Sequence, residues 1–99
     1  EDASPFLIRA LGDPEPEVRT AAVAALGRIR SHRAVNALVS CLQDTDERVR
    51  IGAAEILGKL GDTRAIEPLN ALEGDPFSDV RDTAERAVKQ LMKKRNAAR

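Results

Sequence analysis

Leu42 to Leu60 reads LQDTDERVRIGAAEILGKL, and the chain writes the same pattern twice more. Leu11 to Ile29 reads LGDPEPEVRTAAVAALGRI, and Asp75 to Leu91 reads DPFSDVRDTAERAVKQL. Stacked at a shift of 31 residues, Asp13, Asp44 and Asp75 share one column. Val18, Val49 and Val80 share another, then Arg19, Arg50 and Arg81, then Ala22, Ala53 and Ala84. A fixed period of this size marks stacked helical units, none of which can hide its apolar face alone.

Inside each copy the apolar residues keep a helical period. Val18, Ala21, Ala22, Ala25, Leu26 and Ile29 fall at i, i+3, i+4, i+7, i+8 and i+11, which predicts one continuous buried stripe. Val49, Gly52, Ala53, Ile56, Leu57 and Leu60 repeat it, as do Val80, Thr83, Ala84, Ala87, Val88 and Leu91. Asp13-Pro14 is expected to open the first long helix, with aspartate capping and proline in the first turn. Ser31 and Asp62 are expected to cap the shorter second helices, over residues 33–42 and 64–73. Gly61 is expected to end the helix before it in the left-handed conformation. No segment alternates with period two, so no strand is expected.

The whole chain is expected to form one domain. Residues 1–12 act as the second helix of a partial repeat, 13–43 and 44–74 as two repeats, and 75–99 as a C-terminal capping helix. In that last helix Asp82, Glu85, Arg86, Lys89 and Lys93 are charged, where the first unit has Thr20, Val23, Ala24 and Gly27 at the four matching positions up to Lys89. A polar terminal helix closes a repeat array. Residues Asn96 to Arg99 are expected to fray.

Composition narrows the function classes. Sixteen basic and sixteen acidic residues cancel, so no global field draws the chain to nucleic acid or to a membrane. Charge is uneven, with five acids against Arg9 in residues 1–17 and five bases without an acid in residues 89–99. No apolar run is long enough to span a bilayer, and the acidic first residues lack the basic start of a signal peptide. A single cysteine, Cys41, forms no internal disulfide and fits a reducing, cytoplasmic setting.

The spacing Leu-x-Asp-x4-Val-Arg-x2-Ala-Ala-x2-Leu-Gly, followed by Arg-Ala-Val/Ile-x2-Leu, resembles HEAT repeats over residues 2–95. It is most similar to the short variant found in phycocyanobilin lyase subunits. The resemblance implies an all-α, right-handed α-solenoid of about three helical hairpins, with the second helices lining the concave side. It also implies that Asp13, Asp44 and Asp75 with Arg19, Arg50 and Arg81 form a structural ladder between adjacent repeats. A phosphate-binding stripe is the competing reading of those arginines, but the aspartate that precedes each by six residues favours the ladder. Lys89 departs from the family's glycine column (Gly27, Gly58), and no second helix follows it.

The function expected from this is a non-enzymatic scaffold that binds another protein or peptide along the face of the second helices. The outward positions of that face stack as Asp2, Arg33, Arg64, then Pro5, Asn36, Glu67, then Arg9, Ser40, Ala71. Arg9, Arg33, Asn36, Ser40, Arg64 and Glu67 are the candidate contacts. Outer positions of the long helices, such as Glu55 and Arg86, are expected to take little part. Neither a catalytic residue, a cofactor nor a metal site is expected. His32 has no partner nucleophile or ligand set, the His-Glu pairs of HEAT-repeat di-iron hydroxylases are lacking, and Cys41 shares its column with Ala10 and Leu72. Two alternatives remain open: a phycobilin-lyase-like subunit that positions a chromophore and an acceptor protein, and a nucleic-acid binder using Lys89, Lys93, Lys94, Arg95 and Arg99. The second is disfavoured because no aromatic residue is interleaved for base stacking. Phe6, Leu7, Ile8 and Leu11 crowd one short helix, which predicts self-association there or repeats upstream in a longer chain.

Overall fold

The computed structural model of the chain describes residues 2–97 and places them in helices and turns, with no strand among them. Three long helices, α2 (Pro16–Arg28), α4 (Glu47–Leu60) and α6 (Ser78–Ala97), lie side by side. Three short ones, α1 (Ser4–Ala10), α3 (Val35–Cys41) and α5 (Ile66–Asn70), each pack on the long helix that follows. The body measures 37 × 35 × 16 Å, the thickness of two helix layers. This is an α-solenoid.

Each long helix begins with the same small device. A carboxylate oxygen of Asp13, Asp44 and Asp75 accepts the backbone N–H two residues on, at 2.9, 2.9 and 3.0 Å. This side-chain turn uses up the residues from each aspartate to the cap. The expected start at Asp13-Pro14 is therefore corrected: α2 begins at Pro16, which occupies the first helical turn where a missing N–H costs nothing. In α4 the cap is Asp46, whose side chain accepts from the Arg48 N–H at 2.8 Å.

The helix ends repeat as well. Gly61 stands at φ 78°, in the left-handed region that releases the chain from α4. Arg30, in the same column after α2, is forced into it at φ 53°. Asp62 caps the turn Thr63–Ala65 by accepting from the Arg64 N–H at 3.0 Å. Ser31 does not act as a cap; its hydroxyl is buried against that of Ser4. The short helices are also less regular than expected, because 3-10 turns at His32–Ala34, Thr63–Ala65 and Ala71–Gly74 flank α3 and α5. At the far end α6 stays helical through Ala97, so Asn96 is ordered; residues 98 and 99 lie outside the described residues.

The core runs along the seam between the layers. Leu26, Leu38, Leu57, Leu69 and Leu91 are fully buried, one or two from each hairpin. The stripe in α4 and α6 is largely covered as expected, but α2 departs from it. Val18 is 39% and Ile29 47% exposed, whereas Val49, Val80, Leu60 and Leu91 in the same columns are at most 3% exposed. α4 has α2 at its side and α6 has α4, while α2 has only the short α1 there. The opposite flank of α2 is the covered one: Val23 is 1% exposed, and Gly27 lies directly beneath Ile56 of α4. These positions face the next helix, not solvent. In α6 their columns hold Glu85 and Lys89, both exposed.

Gly27 and Gly58 are needed for this packing. A Cβ on Gly58 would stand 2.9 Å from the Ala87 Cβ and 3.0 Å from its Cα, closer than atoms of neighbouring helices approach.

Candidate functional site

The ladder residues are brought together across units, Arg19 and Arg50 each meeting the aspartate of the following unit. Arg19 reaches forward to Asp44 of the next unit, donating from Nε at 2.8 Å and Nη2 at 2.9 Å, while its Nη1 donates to the Asp13 carbonyl oxygen at 2.7 Å. Arg50 repeats this on Asp75, at 2.8 and 3.2 Å, with the Asp44 carbonyl at 2.7 Å. The guanidinium thus ties the backbone of its own turn to the carboxylate of the next, using the fork geometry that suits arginine and not lysine.

The second rung is the more enclosed. Side-chain exposure is 11% for Arg50 and 6% for Asp75, and the Phe77 ring lies 5.8 Å from the guanidinium carbon. Burial pushes the Asp75 carboxyl up, but hydrogen bonds from Arg50 and from the Phe77 N–H outweigh it, so its pKa is lowered. The hydrogen bond to Asp44 raises the Arg19 pKa against the cost of desolvation. The outer members stand open: among the described residues the Asp13 carboxylate has no arginine partner, and Arg81 keeps the Asp75 carbonyl contact at 2.7 Å without a carboxylate.

The candidate contact residues lie where the outward columns place them. Arg9, Arg33, Asn36, Ser40, Arg64 and Glu67 are all exposed on α1, α3, α5 and their leading turns. Local partners hold three of them. Arg33 donates to Asp2, Arg64 donates to Asp62 at 2.6 Å, and Arg9 stands 6.0 Å from the Phe6 ring centre. Asp2 is held down to about 2 by hydrogen bonds from Ser4 and then Arg33, and Asp62 to about 2 by those from Arg64. His32 is exposed, whereas Cys41 is buried and its thiol pKa is pushed up by burial to about 11. Among the described residues no cluster of three or more His, Cys, Asp or Glu side chains is arranged to hold a metal ion. Nor is any described helix long and apolar enough to cross a membrane.

One feature of the surface escaped the sequence reading. A furrow of about 760 Å³ runs between α4 and α6 on the layer of long helices, with Ile51 and Ala87 in its floor. Its signal was Ile51, an apolar residue in a column that otherwise holds Thr20 and Asp82.

A two-layer array of antiparallel helices, held by a forked Arg–Asp contact written twice, defines a stacked-repeat protein. The family described as HEAT repeats matches residues 1–89, and the chain belongs to it. No curated protein sequence matches the chain. Among 23 matching solved chains, one from the complex of CpcE and CpcF of phycocyanin lyase from Nostoc sp. PCC7120 aligns at TM-score 0.84 and 28% identity. That alignment covers 92% of this chain and 38% of that one. Human deoxyhypusine hydroxylase, in complex with glycerol, aligns at TM-score 0.84 and 31% identity, over 97% of this chain and 34% of that one. An engineered protein aligns at TM-score 0.71 and 27% identity, over 92% and 46%. The chain therefore spans between a third and a half of the proteins it resembles. These likenesses support the short lyase-type repeat, and they also correct one expectation. A non-enzymatic chain was expected from its lack of catalytic groupings, yet a lyase and a hydroxylase stand among its structural neighbours. Helical repeats of this kind also build enzymes, so the lack of a local motif does not decide the matter.

Proposed function

We propose that the chain is a protein-docking unit whose partner lies along α1, α3 and α5. One contrast carries this reading. Arg33, Asn36, Ser40, Arg64 and Glu67 are exposed, while the residues interleaved with them, Val35, Leu38, Ile66 and Leu69, are buried to 6% or less. A firmly seated backbone thus presents a row of polar groups, and preorganisation of that kind lowers the entropic cost of binding. The ion pairs at Arg33 and Arg64 do not block it, because solvent-exposed pairs of this sort are weak and re-form readily with a partner.

The test is affinity purification from the source cell with Arg33→Gln and Arg64→Gln combined, against the unaltered chain and against Glu55→Lys with Arg86→Glu. Loss of a captured protein only in the first variant, with thermal stability unchanged, supports the short-helix face. Loss only in the second moves the site to the long-helix layer. A second reading rests on the alignment with phycocyanin lyase: the chain is part of a lyase-like assembly that positions a chromophore and an acceptor protein. Recovery of a bilin-carrying protein as the captured partner would support it.

A further inference from the structure

We propose that the furrow between α4 and α6 is a second docking site, built for an acidic amphipathic helix. It lies on the layer opposite α1, α3 and α5, on the side to which the sequence reading gave no role. Its origin is a difference of one side chain. Between α2 and α4 the corresponding place is filled by Ile56, which lies over Gly27. The same column in α6 holds Ala87, so α6 closes onto Gly58 and the outer space above the contact stays empty. Ile51 is left half-buried in the floor of that space. Apolar floor and open trough together suit inserted aliphatic side chains.

The rim supplies the sign. Lys59, Arg86, Lys89 and Lys93 line the furrow, with Glu55 as the acid among them. Lys59 leans on Glu55 at 3.8 Å and Lys89 on Glu85 at 3.6 Å, in exposed pairs a helical turn apart. Arg86 and Lys93 have no carboxylate within 4 Å among the described residues. On α6 the bases fall at 0, +3 and +7, about 10 Å from first to last at 1.5 Å per residue. Carboxylates spaced i, i+4 and i+7 along a helix laid antiparallel in the furrow meet them in turn, and its apolar residues then face Ile51 and Ala87. Nucleic acid fits less well, because both aromatic residues, Phe6 and Phe77, lie elsewhere and the floor is apolar.

The experiment uses the full chain and a fluorescein-labelled synthetic helix carrying glutamates at i, i+4 and i+7 beside a leucine stripe, followed by anisotropy. The expected result is saturable binding, weakened about tenfold or more by Arg86→Glu with Lys93→Glu at unchanged far-UV circular dichroism. Ile51→Glu should weaken it comparably, and a peptide with lysines in place of the glutamates should bind the charge-reversed variant instead. Equal affinity for both chains, or no binding to either, would overturn the proposal. So would an oligonucleotide that binds where the peptide does not, with affinity falling about a hundredfold between 50 and 200 mM salt, as about four phosphate contacts require. Self-association of the chain abolished by Arg86→Glu with Lys93→Glu, without peptide binding, would show that the furrow takes a second copy instead. The double Arg33→Gln, Arg64→Gln variant should leave peptide binding intact, which separates this site from the short-helix face.

Discussion

Replacing Arg50 with alanine should cost far more than replacing Arg81, although both occupy one column. Arg50→Ala removes two hydrogen bonds to Asp75, one to the Asp44 carbonyl, and the stacking of the guanidinium on Phe77. It also strands the Asp75 carboxylate, 6% exposed, with only the Phe77 N–H to satisfy it. Breaking one side of a buried pair costs about 3–5 kcal/mol, and an exposed pair about 0–1. This rung lies nearer the buried limit but touches solvent, which places the expected loss at about 2–3 kcal/mol. Arg81→Ala loses only one exposed contact to the Asp75 carbonyl and should cost within about 0.5 kcal/mol.

Urea titration followed by circular dichroism at pH 7 and low salt measures both. With a slope of about 1–2 kcal/mol per molar, the Arg50 variant should shift its midpoint down by about 1–3 M and the Arg81 variant by less than about 0.5 M. Arg50→Lys should fail to rescue the loss, because a point charge cannot hold carbonyl and carboxylate together in the fork geometry. Equal shifts for Arg50→Ala and Arg81→Ala would refute the reasoning, since the two differ chiefly in the carboxylate of a following unit.

Three further outcomes follow from the packing and the charges. Gly58→Ala should destabilise by about 1–2 kcal/mol despite its gain in helix propensity, because Ala87 cannot retreat, whereas Gly12→Ala, with 3.7 Å of clearance, should be neutral or slightly stabilising; calorimetry compares them. Arg30→Gly should stabilise by about 0.5 kcal/mol in a urea melt, relief of the left-handed backbone exceeding the extra entropy of the unfolded glycine. Asp62 and Asp75 have folded pKa values below the unfolded carboxylate value of about 3.9, so their stabilisation is complete above it and disappears as pH falls through the folded values, near 2 for Asp62. Asp75→Asn should therefore flatten the fall in midpoint between about pH 4 and pH 2, measured by acid titration of the urea midpoint.

How far the sequence could be read depended on whether a residue's neighbour came from its own unit or the next. The helix pairs, the Gly61 stop and the Asp62 cap depend on local rules and were legible. A ladder between adjacent repeats was implied by the resemblance, but its direction, Arg19 forward to Asp44, was hidden, because two parallel columns of Asp and Arg show that they belong together but not which copy meets which. The same gap explains Val23 and Gly27. Their apolar and small character is set by Gly52 and Ile56 of the next helix, so they looked like surface positions within a single unit. The exposure of Val18 and Ile29 was equally out of reach, since periodicity marks an apolar face without showing whether anything lies on it. The furrow between α4 and α6 required the position of two helices at once.

The two ends of the array are chemically unlike, and that difference directs where binding can occur. On α6 the columns that pack as Val23 and Gly27 in α2 hold Glu85 and Lys89. A helix docked there in the manner of α4 on α2 would meet a lysine where even a methyl group would collide with Ile56. Desolvating that charge without a partner is costly, so the flank of α6 resists further stacking. Arg86, Lys89 and Lys93 of α6 line the furrow on the layer of long helices, while the forked arginines tie the turn before each long helix to the turn before the next. For either proposed surface, a backbone braced by the ladder would present side chains already in place, so that less of a partner's contact energy is spent on ordering the chain.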